Sequence, residues 1–396
     1  MGLRAENLEQ FAIDVILERR SGIRATILRG LLYILSFVYE GLVQFRLFLY
    51  RHRIFRERAL GCLVISIGNL TVGGTGKTPI VEKFARALRA GGRRVAILSR
   101  GYKSVPPPTD RKWWQRLGRK VPTPPRVVSD GKTLLLDSLT AGDEPYMLAH
   151  NLKDVVVVVD KDRVKSGLFA IKELKADTLL LDDGLQYLHL KHRLDIVLID
   201  RQAPFGNEYL LPRGTLREPP RNLRRASYIF ITKSSGEPND ALIERIRRYN
   251  RTAEIIECAH RPLHLQNIQT GEQLPLERLR DTFVGSLCGI AAPESFEDGL
   301  RKLGARLELS KRYTDHHRYT ESELQSFINR CIRRDLEMIV TTEKDAVRIP
   351  LLTKVDVPIY FLRVEIEILS GHESWEHCVA RICKPQPMLS PARFFA

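Results

Sequence analysis

The spacing of apolar residues along the chain predicts strands and helices in alternation. Residues 63–67 (LVISI) are a β-branched run that ends in Gly68-Asn69, the pattern of a short strand entering a loop. Over 79–90, Ile80, Val81, Phe84, Ala85 and Leu88 recur at helical spacing, and Gly91-Gly92 ends the helix. Residues 95–98 then read as a strand, and a strand–loop–helix–strand unit implies parallel pairing. Residues 155–159, 178–181, 196–199 and 228–231 are continuous apolar runs, as expected of parallel strands covered on both faces. Several stop at a polar group: Asp160, Asp182-Asp183, Asp200 or Thr232-Lys233. In an open α/β sheet ligands sit beyond the carboxyl ends of the strands, so chemistry is expected at these positions.

The N-terminal stretch 23–53 is rich in Leu, Ile, Phe and Tyr but is broken by Arg29, Glu40 and Arg46. Its longest charge-free run is about ten residues, short of the roughly 18–20 that span a bilayer. An amphipathic helix lying in the membrane interface, aromatic with a basic rim, fits better. Packing on the protein's own core is the competing reading. Residues 104–126, which include Trp113-Trp114, and residues 201–225 read as long surface loops. Around 250–265 the pattern shifts, and strand candidates at 282–290 and 338–342 open a second α/β set.

Between the first strand and its helix lies Thr71-Val72-Gly73-Gly74-Thr75-Gly76-Lys77-Thr78. The glycines let backbone N–H groups face a phosphate, and the helix N-terminus adds positive potential. Lys77 would neutralise β- and γ-phosphates and Thr78 would offer a hydroxyl to magnesium. Thr71 stands where the general phosphate-loop pattern has glycine. Asp182, at the end of an apolar run, supplies the acid that such a loop needs for magnesium. The signatures of a guanine-specific switch are poor: Leu181 stands where an Asp is expected, and Thr232-Lys233-Ser234-Ser235 lacks the aspartate of NKxD. The expected fold is therefore α/β: a P-loop NTPase-like core with a mostly parallel sheet flanked by helices, plus a smaller α/β domain. The divisions fall at 1–55, 56–258 and 259–396.

A net charge of +16 favours a polyanion: nucleic acid, an anionic membrane or a phosphorylated substrate. Six scattered cysteines form no CxxC pair, which suggests neither a zinc knuckle nor a disulfide framework. Two further clusters bear on chemistry. Asp143-Glu144 in AGDEP suits a helix cap as well as a site, and Asp315-His316-His317 offers a general base.

Together these segments resemble the tetraacyldisaccharide 4′-kinases, the lipid A kinases of Gram-negative bacteria. The matching motifs are ISIGNLTVGGTGKTP (65–79), LSRGYK (98–103), AGDEPYMLA (141–149), DKDRVKSG (160–167), LDDGLQ (181–186), LLPRGTLREP (210–219), DHH (315–317) and TTEKDAVR (341–348). The resemblance implies transfer of the ATP γ-phosphoryl group to the 4′-hydroxyl of an acylated disaccharide phosphate lipid. It implies ATP bound by 71–78, Mg2+ attended by Thr78, Asp182 and Glu144, and an Asp143–His316 pair that deprotonates the sugar hydroxyl. Arg100, Tyr102, Arg163, Asp183, Gln186, Arg217 and Glu218 fall in motifs facing nucleotide or substrate. Thr71 agrees with the family's own version of the loop. Tyr187 replaces a usual histidine, and Arg213 a usual small residue. The implied setting is peripheral, on the cytoplasmic face of the bacterial inner membrane. The protein is expected as a monomer on an anionic surface, without nucleic acid. Rival readings are a nucleic-acid-binding P-loop ATPase, motivated by charge and Trp113-Trp114, and a P-loop kinase of a soluble sugar or nucleoside.

Overall fold

A computed structural model describes residues 11–105, 123–352 and 355–384; Trp113-Trp114 lie outside them. The strands are β1 Leu63–Asn69, β2 Val95–Ser99, β3 Arg126–Asp130, β4 Val156–Val159, β5 Thr178–Asp182, β6 Leu194–Asp200, β7 Tyr228–Thr232, β8 Glu254–Asn267, β9 Gln273–Leu274, β10 Phe283–Cys288, β11 Arg306–Arg312, β12 Met338–Thr342 and β13 Ile359–Ser370. The helices are α1 Ile23–Arg51, α2 Lys77–Ala90, α3 Ser138–Ala141, α4 Asp143–Asn151, α5 Arg163–Lys172, α6 Asp240–Tyr249, α7 Pro293–Lys302, α8 Glu321–Ile332, α9 Glu343–Ala346 and α10 His372–Cys383.

All thirteen strands join one sheet in the order β11-β10-β12-β13-β8-β7-β6-β1-β5-β2-β4-β3, with β9 on β8. The strands at the nucleotide end, β1, β2 and β4 to β7, pair in parallel, with β3 antiparallel at the edge. The strand β1 is buried along its whole length, which is why its sequence is continuous rather than alternating. Helix α2 presses Ile80, Val81, Phe84, Ala85 and Leu88 into the core beside it.

The expected division at 258/259 falls inside β8. The first residues of β8 pair in parallel with β7, and the rest pairs antiparallel with β13. These two long strands carry the sheet from one half of the molecule into the other. β13 then delivers α10 back to the first half, where Cys378 and Ile382 enter the same core as Phe84 and Phe230. The Trp375 ring meets Phe84 edge-on at 4.7 Å.

Helix α1 is 29 residues long, and it is long and apolar enough to cross a membrane by length and composition. Ile27, Leu31, Ile34, Val38, Leu42 and Phe45 form an exposed apolar stripe. The helix is also tied to the body. The Tyr39 hydroxyl donates to the Arg217 carbonyl at 3.1 Å, Arg46 to the Gln186 carbonyl at 3.1 Å, and Arg221 pairs with Glu40 at 2.6 Å.

Candidate active site

The carboxyl ends of β1, β2, β5, β6 and β7 bring Asn69, Ser99, Asp182, Asp200 and Thr232 to one rim, with the phosphate loop at its centre. Thr71 is extended and bridges to Leu216, and its carbonyl and hydroxyl accept from the Asn69 amide at 2.8 and 3.3 Å. The leading position therefore ties the loop to the 210–219 segment through its backbone, and its hydroxyl adds a contact to Asn69 that glycine lacks. The Val72 N–H donates to the Thr215 carbonyl at 2.7 Å, and Thr232 Oγ1 to the Thr75 carbonyl at 2.9 Å. Gly76 sits at φ +77°, and a Cβ there would lie 2.8 Å from the His260 ring. Lys77 and the buried Thr78 open α2. The Lys77 ammonium donates to Asn69 Oδ1 at 3.2 Å and lies 3.6 Å from Asp183.

The two aspartates after β5 differ sharply. Asp182 is buried, accepts from Ser99 Oγ at 3.1 Å, and leaves Oδ1 without a protein partner. Burial, with Glu144 and Asp183 nearby, pushes its carboxyl up to about 7 against Lys77 and Ser99. Asp183 is also raised by burial, but the charges of Lys77 and Arg217 outweigh this and hold it below its usual value. Arg217 Nη1 reaches both Asp183 oxygens, at 2.9 and 2.8 Å.

The remaining predicted residues divide by what they touch. Gln186 donates to the Asn69 carbonyl and to Glu218, both at 3.1 Å, while Glu218 is buried between Arg225 (2.6 Å) and Asn222 (2.7 Å). These two brace the loop from behind. Arg163 is buried over the Tyr187 ring, 5.0 Å from its centroid, and its N–H donates to the Tyr187 hydroxyl at 3.0 Å. Tyr187 thus fixes the start of α5. Arg213 pairs with Glu18 at 2.7 Å and lies over the Tyr209 ring, so its charge is committed to the N-terminal segment. Arg100 and Tyr102 are exposed at the rim.

Asp143 and His316 meet. His316 Nδ1 is 3.0 Å from Asp143 Oδ2, and the Tyr102 ring is 5.5 Å from the imidazole. Arg318 reaches Asp143 Oδ1 and Arg348 reaches Oδ2, each at 3.1 Å. Burial raises the Asp143 carboxyl, but the His316 hydrogen bond and both guanidinium groups outweigh it, and the group stays below its usual value. Asp183 (φ +56°) and His316 (φ +66°) both adopt left-handed backbone, which costs a non-glycine residue about 1–2 kcal/mol. His317 takes no part; it stacks on Tyr313 and bonds Glu323 at 3.1 Å. Glu144 faces Lys344 at 3.7 Å.

Sequence reasoning missed several of these residues. Asn69, Lys344 and Arg348 lie within the quoted motifs, but nothing in their spacing marked a role. Arg318 and His260 left no pattern at all.

A phosphate loop after a central parallel strand, a carboxylate pair at the neighbouring strand end and an Asp–His pair across from them define a P-loop phosphotransferase. The family described as Tetraacyldisaccharide-1-P 4′-kinase matches residues 28–384. Tetraacyldisaccharide 4′-kinases of Syntrophus aciditrophicus (strain SB) and Anaeromyxobacter dehalogenans (strain 2CP-C) are each 38% identical to this chain. The matches cover 89% and 84% of it and 93% and 85% of theirs. A crystal structure of "apo" form LpxK from Aquifex aeolicus in complex with ATP aligns with TM-score 0.69 and 28% identity, over 90% of this chain and 99% of that one. The chain belongs to the tetraacyldisaccharide 1-phosphate 4′-kinase family. The readings as a nucleic-acid-dependent ATPase or a soluble-sugar kinase are not favoured.

Proposed function

We propose that the chain transfers the γ-phosphoryl group of ATP to the 4′-hydroxyl of a tetraacylated disaccharide 1-phosphate, with His316 as base and Asp143 as its partner. The observation that carries this reading is the 3.0 Å hydrogen bond from His316 Nδ1 to Asp143. With Nδ1 engaged, Nε2 is the nitrogen left to accept a proton, and a carboxylate on Nδ1 fixes the ring and stabilises the imidazolium that forms. The acceptor O–H proton passes to Nε2 and the oxygen bonds the γ-phosphorus. The bond to the β–γ bridging oxygen breaks, and ADP leaves. Positioning and charge stabilisation do most of the work in such a transfer. Residues 71–78 hold the phosphates, with Lys77 on the β- and γ-groups, while Arg217 keeps Asp183 from neutralising Lys77 alone. The exposed Arg100 and Tyr102 would contact nucleotide or lipid from the rim, while the buried Arg163 would act from behind through Tyr187.

Mg2+ fits the residues present. Among the described residues there is no cluster of three or more His, Cys, Asp or Glu, but magnesium is normally held by one or two carboxylates with phosphates and water. Asp182, with a buried Oδ1 that has no protein partner and a carboxyl pushed up first by burial and then by the neighbouring Glu144, has the character of a magnesium ligand. Thr78, Asp182 and Glu144 would hold the ion, which supplies charge neutralisation on the phosphate oxygens.

Helix α1 would bring the enzyme peripherally to the anionic cytoplasmic face of the inner membrane. One flank binds the body and the apolar stripe is left outward, which supports an interfacial placement. The test is transfer of label from γ-labelled ATP to tetraacyldisaccharide 1-phosphate, with Lys77→Ala as control. Absence of labelled lipid product with the intact enzyme rejects the reading.

A further inference from the structure

We propose that Lys344 is a positioning residue of the base, holding the proton-receiving nitrogen of His316 bare and oriented until the acceptor hydroxyl replaces it. The inference rests on the reading of His316 as base and adds a second, unassigned partner to it.

Lys344 lies on the single helical turn α9 at the end of β12. Its ammonium is 3.3 Å from His316 Nε2, 3.4 Å from Asp315 Oδ1 and 3.7 Å from Glu144 Oε1. The turn is firmly anchored. Thr342 caps it, with Oγ1 accepting from the Asp345 N–H at 3.1 Å, and Asp345 is fully buried, accepting from the Gly289 N–H at 3.0 Å and the Tyr319 hydroxyl at 2.9 Å. Glu343, next to Lys344, is held by Arg363 at 2.6 Å, and Arg363 also reaches Glu82 on α2. The ammonium is thus aimed from a turn referenced to the nucleotide-binding helix.

The hydrogen-bond inventory decides the rest. Asp143 accepts from Arg318 and lies against Arg348, so it is an acceptor only, and His316 Nδ1 must carry a proton toward it. A lysine ammonium has only donors, so the Nε2 atom facing it must present its lone pair. Asp143 therefore fixes one end of the imidazole and Lys344 the other, with the Tyr102 ring meeting it at a steep angle, 5.5 Å between centroids. An acceptor hydroxyl arriving at Nε2 needs the lone pair that Lys344 occupies. When displaced, the ammonium keeps compensating carboxylates at Asp315 and Glu144, so no uncompensated charge is created.

The test uses the full-length enzyme and three variants, with thermal melts to confirm folding. Lys344→Met is expected to lower kcat about 10- to 100-fold, with KM for ATP and for lipid acceptor changed by less than about twofold. Lys344→Arg, which restores a donor-only cation, is expected to recover most of kcat. In 15N-histidine spectra assigned with His316→Gln, the wild-type Nε2 resonance should show a hydrogen-bonded acceptor, moving to the free-imidazole position in Lys344→Met while Nδ1 keeps its proton. A Lys344→Met enzyme with wild-type kcat and an unmoved Nε2 resonance overturns the proposal. So does a rise in acceptor KM alone, which would make Lys344 a substrate ligand, or failure of arginine to rescue at unchanged melting temperature. Full activity of His316→Ala would reject the base reading itself, leaving the spectroscopic contact to be judged separately.

Discussion

Asp143 and His316 stand 173 positions apart in the chain, one opening a helix of the nucleotide half and the other in a loop of the second half, yet their side chains lie 3.0 Å apart. Each depends on the other: the carboxylate orients the ring, and the ring helps keep the buried carboxylate ionised. His316→Ala is expected to lower kcat about 10²- to 10⁴-fold with little change in ATP KM. Asp143→Asn should fall in the same range. Because the two act as a unit, the double variant should lose far less than the product of the single losses. Multiplicative losses in steady-state kinetics would show two independent roles.

At Gly76 two costs coincide. Alanine would enter left-handed backbone, at about 1 kcal/mol or more, and would press on the His260 ring. Gly76→Ala is expected to weaken ATP binding at least tenfold by calorimetry. Adding His260→Ala removes the clash but not the backbone strain, so it should restore only part of the affinity.

The same histidine gives a pH dependence. Burial, with Lys233 adding to it against the opposing Asp200, pushes His260 down to about 4. The unfolded chain takes up this proton near pH 6.5, while the folded chain does not. Stability therefore falls as pH drops from about 6.5 toward 4, and the contribution is constant above that window. Thermal melts from pH 4 to 8 should show a shallower acid slope in His260→Gln than in wild type. Parallel curves would contradict it.

Arg363 bridges Glu82 on α2 and Glu343 on α9, all three largely buried, with Asn151 reaching Glu82 at 3.3 Å. Arg363→Met would leave the buried Glu343 carboxylate without its cation and Glu82 with the half-exposed Arg86 alone, and denaturant unfolding should register a loss of about 3–5 kcal/mol. Replacing Glu82, Glu343 and Arg363 together by methionine should recover much of that stability while still impairing catalysis, because α9 would lose its reference to the nucleotide helix.

The exposed stripe of α1 predicts membrane affinity. Ile34→Glu with Leu42→Glu removes two apolar anchors, each contributing about 1.5–3 kcal/mol when buried. Co-sedimentation with vesicles rich in anionic lipid should fall at least tenfold at unchanged melting temperature. Undiminished binding would assign the attachment to charge alone.

The sequence was most readable where burial is two-sided. β1, β4, β5, β6 and β7 are continuous apolar runs, and their positions were predicted to within a few residues. β8 and β13 were not found because from Cys258 and Arg363 onward they alternate between faces and include Pro262 and several charges, which mask a strand in a search for apolar runs. The phosphate loop was legible because its glycines and lysine are contiguous. The pairing of Asp143 with His316 was legible only through motif resemblance, since nothing local tells His316 from His317. Arg318, Arg348 and His260 owe their places to strand order, and spacing along the chain does not encode strand order.

The route of the chain through β8 and β13 makes the second half an insertion rather than a sequel. Asn267 and Tyr360 are paired neighbours, so the segment between them leaves and returns at one seam, and α10 completes the core that α2 began. No single cut separates the phosphate-loop piece from the piece that carries His316, because removing everything after 258 would strip Phe84 and Phe230 of their cover. Closing β8 onto β13 with a hairpin turn in place of the intervening residues would instead leave the phosphate loop's own core whole. The half that carries His316 is best regarded as a passenger, one that could be taken off the enzyme only by cutting at two places.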